Sequence, residues 1–104
     1  MTNSYAVVLT TAKSLEDARQ IAQKVLSERL VSCAQLLPIN SLYTWKGEVV
    51  EEGEVLLLLK TRQELYAELE RAIVSVHSYE TPEIVLLPII QGLPAYLDWI
   101  DEVT

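Results

Sequence analysis

The sequence predicts an α+β fold with a four-stranded antiparallel sheet, and three observations carry that prediction. Strand-type apolar runs and helix-type spacing alternate in the order β-α-β-β-α-β-α. A two-residue turn, Lys46-Gly47, joins two long strands in the middle of the chain. The length of 104 residues lies below the ~150 residues that serve as a prior for one domain. A single domain over 1–104 is therefore expected, large enough to bury roughly 65% of its unfolded surface.

Tyr5–Thr10 is short, apolar and β-branched, so it reads as the first strand. Ser14 is a good helix N-cap, and Asp17 three residues on loosely imitates a capping box. Leu15, Ala18, Ile21, Ala22, Val25 and Leu26 then recur at helical spacing, giving a first helix over about Leu15–Arg29. Ser32–Trp45 is the second strand; Pro38 inside it cannot donate to a ladder and marks an edge or a bulge. Gly47 tolerates the positive φ of a tight turn, and Glu48–Lys60 returns as the third strand. Thr61 and Glu64 have capping-box spacing ahead of a second helix whose buried face is Leu65, Leu69, Ala72, Ile73 and Val76. His77–Pro82 is a loop, Glu83–Ile90 is the fourth strand with Pro88 inside it, and Gly92-Leu93-Pro94 opens a closing helix. Two βαβ crossovers around one hairpin make the ferredoxin-like βαββαβ arrangement with an extra C-terminal helix. Right-handed crossovers put both main helices on one face of the sheet.

The hairpin is too long for the domain. Each arm of about thirteen residues reaches roughly 43 Å at ~3.3 Å per residue, against ~17–20 Å for an ordinary strand. A compact domain of this size is only about 34 Å across. The tip must bend sharply or project, and a projecting tip exposes Leu42, Tyr43, Trp45, Val49 and Val50. Exposed edges and apolar surface together argue for oligomerisation. Without a bulge, paired residue numbers in the hairpin sum to 93, which sets Cys33 opposite Lys60. An ammonium there would favour the thiolate, the metal-binding form. A bulge at Pro38 or Gly53 would break that register.

Composition excludes several classes. Eight Lys and Arg against fifteen Asp and Glu give a net charge of −7, whereas nucleic acids and anionic membranes demand a basic face. The longest purely apolar run, Val55–Leu59, is far short of a membrane span. The N-terminal Met1-Thr2-Asn3-Ser4-Tyr5 carries no basic region of the secretory type. Cys33 is the only cysteine, which fits a reducing compartment, and a cytoplasmic location is expected. No glycine-rich phosphate loop and no Ser-His-Asp set is apparent, so catalysis is not expected.

Ser32-Cys33-Ala34, the stretch Pro38…Ser41-Leu42-Tyr43-Thr44-Trp45-Lys46-Gly47-Glu48 and Leu58-Leu59-Lys60-Thr61 resemble the hairpin of the CutA family. His77-Ser78-Tyr79-Glu80-Thr81-Pro82-Glu83-Ile84 and Tyr96-Leu97-Asp98-Trp99-Ile100 resemble its loop and closing helix. The resemblance runs in order over nearly the whole chain. It implies a ferredoxin-like, heat-stable homotrimer with a role in tolerance of divalent cations, and copper binding as in some members. It also implies an assembly like that of PII signalling proteins, and no firmly attached enzymatic activity. The chain departs from the family pattern at Gln35, where asparagine is common, at Ser78, where proline is common, and at Leu93, which replaces a polar helix cap.

Cys33 and His77, the only thiol and the only imidazole, suit copper or zinc. One Cys and one His fall short of a four-ligand structural zinc site, so Glu83, Glu52 or Glu54 of a neighbouring subunit would complete a metal set. Glu51-Glu52-Gly53-Glu54 reads first as a solvated strand face and second as a weak cation site. Lys60, Tyr79, Glu83, Trp45 and Trp99, with Tyr43, match family motif positions and could line a small-ligand pocket at a subunit boundary. Glu83, placed after Pro82 at a strand start, has no packing reason to be acidic. The expected function is a trimeric CutA-like protein of divalent-cation tolerance, binding copper or a similar cation with no obligatory cofactor. The alternative is a PII-like trimeric scaffold that binds a small effector at Lys60.

Overall fold

The computed structural model describes residues 4–104, so the reading of Met1–Asn3 lies outside the described residues. The elements are β1 Tyr5–Ala12, α1 Leu15–Ser27, β2 Cys33–Trp45, β3 Glu48–Arg62, α2 Tyr66–Val76, β4 Ile84–Ile89 and α3 Pro94–Val103. The strands form one antiparallel sheet in the order β2-β3-β1-β4, the split βαββαβ arrangement the sequence predicts.

Period-2 burial divides the sheet into two faces. Ala6, Val8, Thr10 and Ala12 of β1 stand beside Thr61, Leu59, Leu57 and Val55 of β3, and all eight are buried. Ala18, Ile21, Ala22 and Val25 of α1, with Leu69, Ala72 and Ile73 of α2, close over them. Burying each large side chain there contributes roughly 1.5–3 kcal/mol. Ser14 caps α1 as expected, its Oγ accepting from the Asp17 amide at 3.1 Å.

The opposite face is only partly covered. Helix α3 lies over one end: Ile100 is buried, Tyr5 Oη donates to Asp101 Oδ2, and Arg62 Nε donates to Thr104 Oγ1 at 2.9 Å. The Asp101 hydrogen bond, with burial, pushes the Tyr5 phenol up to about 12. Farther along, Val7, Leu9, Leu56 and Leu58 are half-buried, while Leu37, Val85 and Leu87 are 52%, 43% and 49% exposed.

The hairpin holds the unbroken register, from Cys33↔Lys60 to Trp45↔Glu48, and no bulge forms at Pro38 or Gly53. Pro38 sits on an edge strand, one of its two expected settings. Lys46 (φ 51°) and Gly47 (φ 82°) both lie in the left-handed region, as a two-residue primed turn requires. The molecule is 47 Å long and 25 × 22 Å across, well beyond the diameter of about 34 Å of a compact domain, so the tip projects.

The expected capping box at Thr61 and Glu64 does not form. Thr61 is β-branched and extends β3 instead, fully buried, with Oγ1 donating to the Leu30 carbonyl at 2.6 Å. A 3₁₀ turn, Gln63–Leu65, intervenes before α2, which has no side-chain cap, and Glu64 pairs with Arg62. Strands β1 and β3 run two residues longer than their apolar runs, because Thr11 and Ala12 pair with Leu56 and Val55, and Thr61 and Arg62 with Ala6 and Tyr5. Helix α1 stops two residues early, where Arg29 turns left-handed (φ 58°).

Candidate functional site

A groove of about 870 Å³ opens where the hairpin leaves the domain and the segment after α2 folds back against it. His77 ends α2, its amide donating to Ile73 O at 2.9 Å. Its ring then crosses to β1. Nδ1 accepts the Tyr79 amide at 3.1 Å, so the ring proton sits on Nε2, which donates to the Thr11 carbonyl at 2.7 Å. The His77 and Tyr79 rings lie 4.9 Å apart, and Ser78 Oγ donates to Asp17 Oδ2 at 3.2 Å.

Those contacts aim Tyr79 at the hairpin, where its Oη donates to Glu54 Oε2 at 2.7 Å. Burial pushes the Glu54 carboxyl up, but hydroxyls from Tyr79, Ser41 and Thr11 outweigh it and hold the group below its ordinary value. Burial, and then Glu54, push the Tyr79 phenol well above its ordinary value. Nearer the tip, Tyr43 Oη donates to Glu52 Oε1, which raises the Tyr43 phenol. The groove thus holds carboxylates oriented by phenols, with Trp45, Glu80 and Glu83 on its walls. Such a surface attracts cations and has aromatic faces to rest them on.

Of the residues expected from sequence, Trp45, Tyr79 and Glu83 share this groove. Lys60 and Trp99 form a second cluster, away from it. Lys60 Nζ donates to Gln35 Oε1 at 2.8 Å and lies 5.9 Å from the Tyr96 ring centre, and Tyr96 packs on Trp99 at 5.8 Å. Lys60 is four strand positions from Leu56, the partner of Thr11, a separation of roughly 13 Å.

Cys33 is an unpaired, half-buried thiol opposite Lys60 in the ladder, but the ammonium turns to Gln35. Both His77 ring nitrogens are engaged by backbone. Among the described residues no three of His, Cys, Asp and Glu gather as metal ligands, so one chain does not bring Cys33, His77 and Glu83 together. The reason is topological: Cys33 starts the hairpin at its base, whereas His77 and Glu83 flank its midpoint.

Glu54, Thr11 and Ser41 form the polar centre of the groove, and of these the sequence singles out only Glu54, as a candidate ligand from a neighbouring subunit within an acidic run that reads first as a solvated strand face. The unbroken hairpin register puts Ser41 and Glu54 on one face of the sheet. The approach of Tyr79 depends on the His77 turn, which carries no local signal.

Residues 6–103 match the CutA1 divalent ion tolerance protein family. The chain is 46% identical to the divalent-cation tolerance protein CutA of Thermus thermophilus over 94% of its length and 96% of that protein. It is 40% identical to mouse protein CutA over 97% of its length but spans only 58% of the mouse chain. Its fold superposes, with a TM-score of 0.93, on the structure described as the periplasmic divalent cation tolerance protein CutA of Archaeoglobus fulgidus, at 39% identity over 95% of this chain and 97% of that one.

Proposed function

The chain belongs to the CutA1 divalent ion tolerance family, and on that premise we propose that it acts in the cytoplasm as a homotrimer that binds copper or a similar divalent cation. The uncovered sheet face carries the assembly. Leu37, Val85 and Leu87 expose large apolar area beside Val7, Leu9, Leu56 and Leu58, and the projecting hairpin adds Leu42 and Val49 at 65% and 75% exposure. Apolar surface of that extent marks an interface. A free thiol favours a reducing compartment. Since Cys33, His77 and Glu83 do not converge within a subunit, the copper site is shared between subunits, with Cys33 as the soft ligand and Glu83 or a groove carboxylate from the neighbour. The role is binding rather than catalysis.

Titration with copper tests the metal part. Affinity should fall at least about tenfold in the variant carrying Cys33→Ala and His77→Ala, in line with the loss of a ligand and its support. Unchanged affinity would remove Cys33 as a ligand and His77 as a support of the site.

The stacked Lys60, Tyr96 and Trp99 cluster supports a second reading, a PII-like scaffold that binds a small anionic effector there. A thermal shift with nucleotides and none with metals would favour it.

A further inference from the structure

Lys60 is a half-buried cation without an anion. Lys13, Lys24 and Arg62 each meet a carboxylate, whereas Lys60 forms no ion pair among the described residues. Its ammonium meets a neutral amide oxygen, Gln35 Oε1 at 2.8 Å, and the Tyr96 ring at 5.9 Å. The chain carries a net charge of −7, so carboxylates are in surplus, yet none is placed here. Charges drawn out of water are paired as a rule. An ammonium has three donors, and Gln35 takes one of them. The others mark a place for an anion.

Charge and shape define that anion. Among the described residues Lys60 is the one cation set against Tyr96 or Trp99. A single carboxylate balances it, whereas a polyphosphate would bring charges that nothing in the cluster meets, into the field of an acidic chain. The rings set the shape. Tyr96 and Trp99 stand three residues apart on α3, so both lie on one side of the helix. Their centres are 5.8 Å apart, and they stay 38% and 39% exposed. Open π-faces favour a flat aromatic partner in offset stacking.

On the reading of this cluster as the effector site, we propose that its ligand is a planar aromatic monocarboxylate. The carboxylate accepts from the Lys60 ammonium, and the ring lies against Tyr96 and Trp99. Recognition draws on neither Cys33 nor the groove carboxylates assigned to copper.

The test is a titration of the full chain with benzoate, followed through the indole N–H resonances of Trp45 and Trp99 in heteronuclear NMR spectra and assigned with Trp45→Phe. The Trp99 signal should shift saturably and the Trp45 signal should stay. Lys60→Met keeps an apolar stem and should weaken benzoate at least about tenfold through the lost charge-assisted hydrogen bond. Tyr96→Leu should weaken it about fivefold through the lost ring contact. On the wild type, benzamide lacks the charge and should not bind, and cyclohexanecarboxylate lacks the π-face and should bind about fivefold more weakly. Wild-type affinity in either variant, or benzamide or cyclohexanecarboxylate binding as tightly as benzoate, would overturn the assignment. ATP shifting Trp99 where benzoate does not would overturn the ligand class and leave Lys60 as an anion site. No shift with either would remove both. Copper affinity in the Cys33 and His77 variants is a separate measurement, so the metal reading can fail or stand alone.

Discussion

The phenol of Tyr79 and the carboxylate of Glu54 meet at 2.7 Å and join the segment after α2 to the middle of the long hairpin. Each sets the other's proton affinity: the phenol helps hold the carboxyl down, and the carboxylate, together with burial, holds the phenol up. The pair is therefore both a mechanical tie and a pH-dependent one.

Replacing Tyr79 by Phe removes the tie and keeps the ring. A hydrogen bond to a charged group contributes about 1.5–3 kcal/mol, and partial exposure reduces this to about 1 kcal/mol. Denaturant unfolding should show that loss. The folded phenol is raised, so its contribution is complete below the ordinary value of 10.0 and disappears as pH climbs through the folded one. Wild-type stability should therefore fall in alkaline solution more steeply than that of Tyr79→Phe; parallel curves would contradict the linkage.

Glu54→Gln probes the acid side. The folded carboxyl is depressed, so its contribution is present above the ordinary value of 4.5 and is lost as pH drops through the folded value. Melting temperature against pH should flatten in the variant below about pH 4.5. Identical acid limbs in the two proteins would mean that Glu54 is not held by the three hydroxyls.

Leu87→Asp tests the assembly face. Leu87 is 49% exposed in the single chain, so a charge there should cost the isolated fold less than about 1 kcal/mol while disrupting an apolar subunit contact. Sedimentation equilibrium should give three chain masses for the wild type and one for the variant. A trimeric Leu87→Asp protein would place the contact elsewhere.

Gly47→Ala tests the turn. No atom lies within 4 Å of the added Cβ, so there is no clash, but φ is +82°. Backbone strain alone should lower stability by about 1 kcal/mol, read from the shift in denaturation midpoint. A neutral result would mean that the turn relaxes to another form.

Much of this architecture is written in period-2 and helical patterning. The alternation of Val55, Leu57 and Leu59 with Leu56 and Leu58 sets β3 between two apolar surfaces, and the Lys46-Gly47 turn alone fixes a register that runs the whole length of the hairpin. The Thr61 capping pattern misleads because a fully buried β-branched residue gains more from the strand and the Leu30 carbonyl than from a helix end. The groove is harder to read. Trp45, Tyr79 and Glu83 stand out by type, yet Glu54 looks like one more surface acid until His77 turns the backbone and brings Tyr79 to it. Lys60 also stands out by type, and four strand positions separate it from the groove.

Both outer strands of the sheet contain a proline, Pro38 in β2 and Pro88 in β4. Each removes one backbone donor from a margin that would otherwise recruit further chains. A strand laid along either margin loses its ladder at that point, so pairing stays short and finite. The same prolines that interrupt the apolar runs thus act as gatekeepers against fibre growth, in a protein whose sheet has one uncovered apolar side.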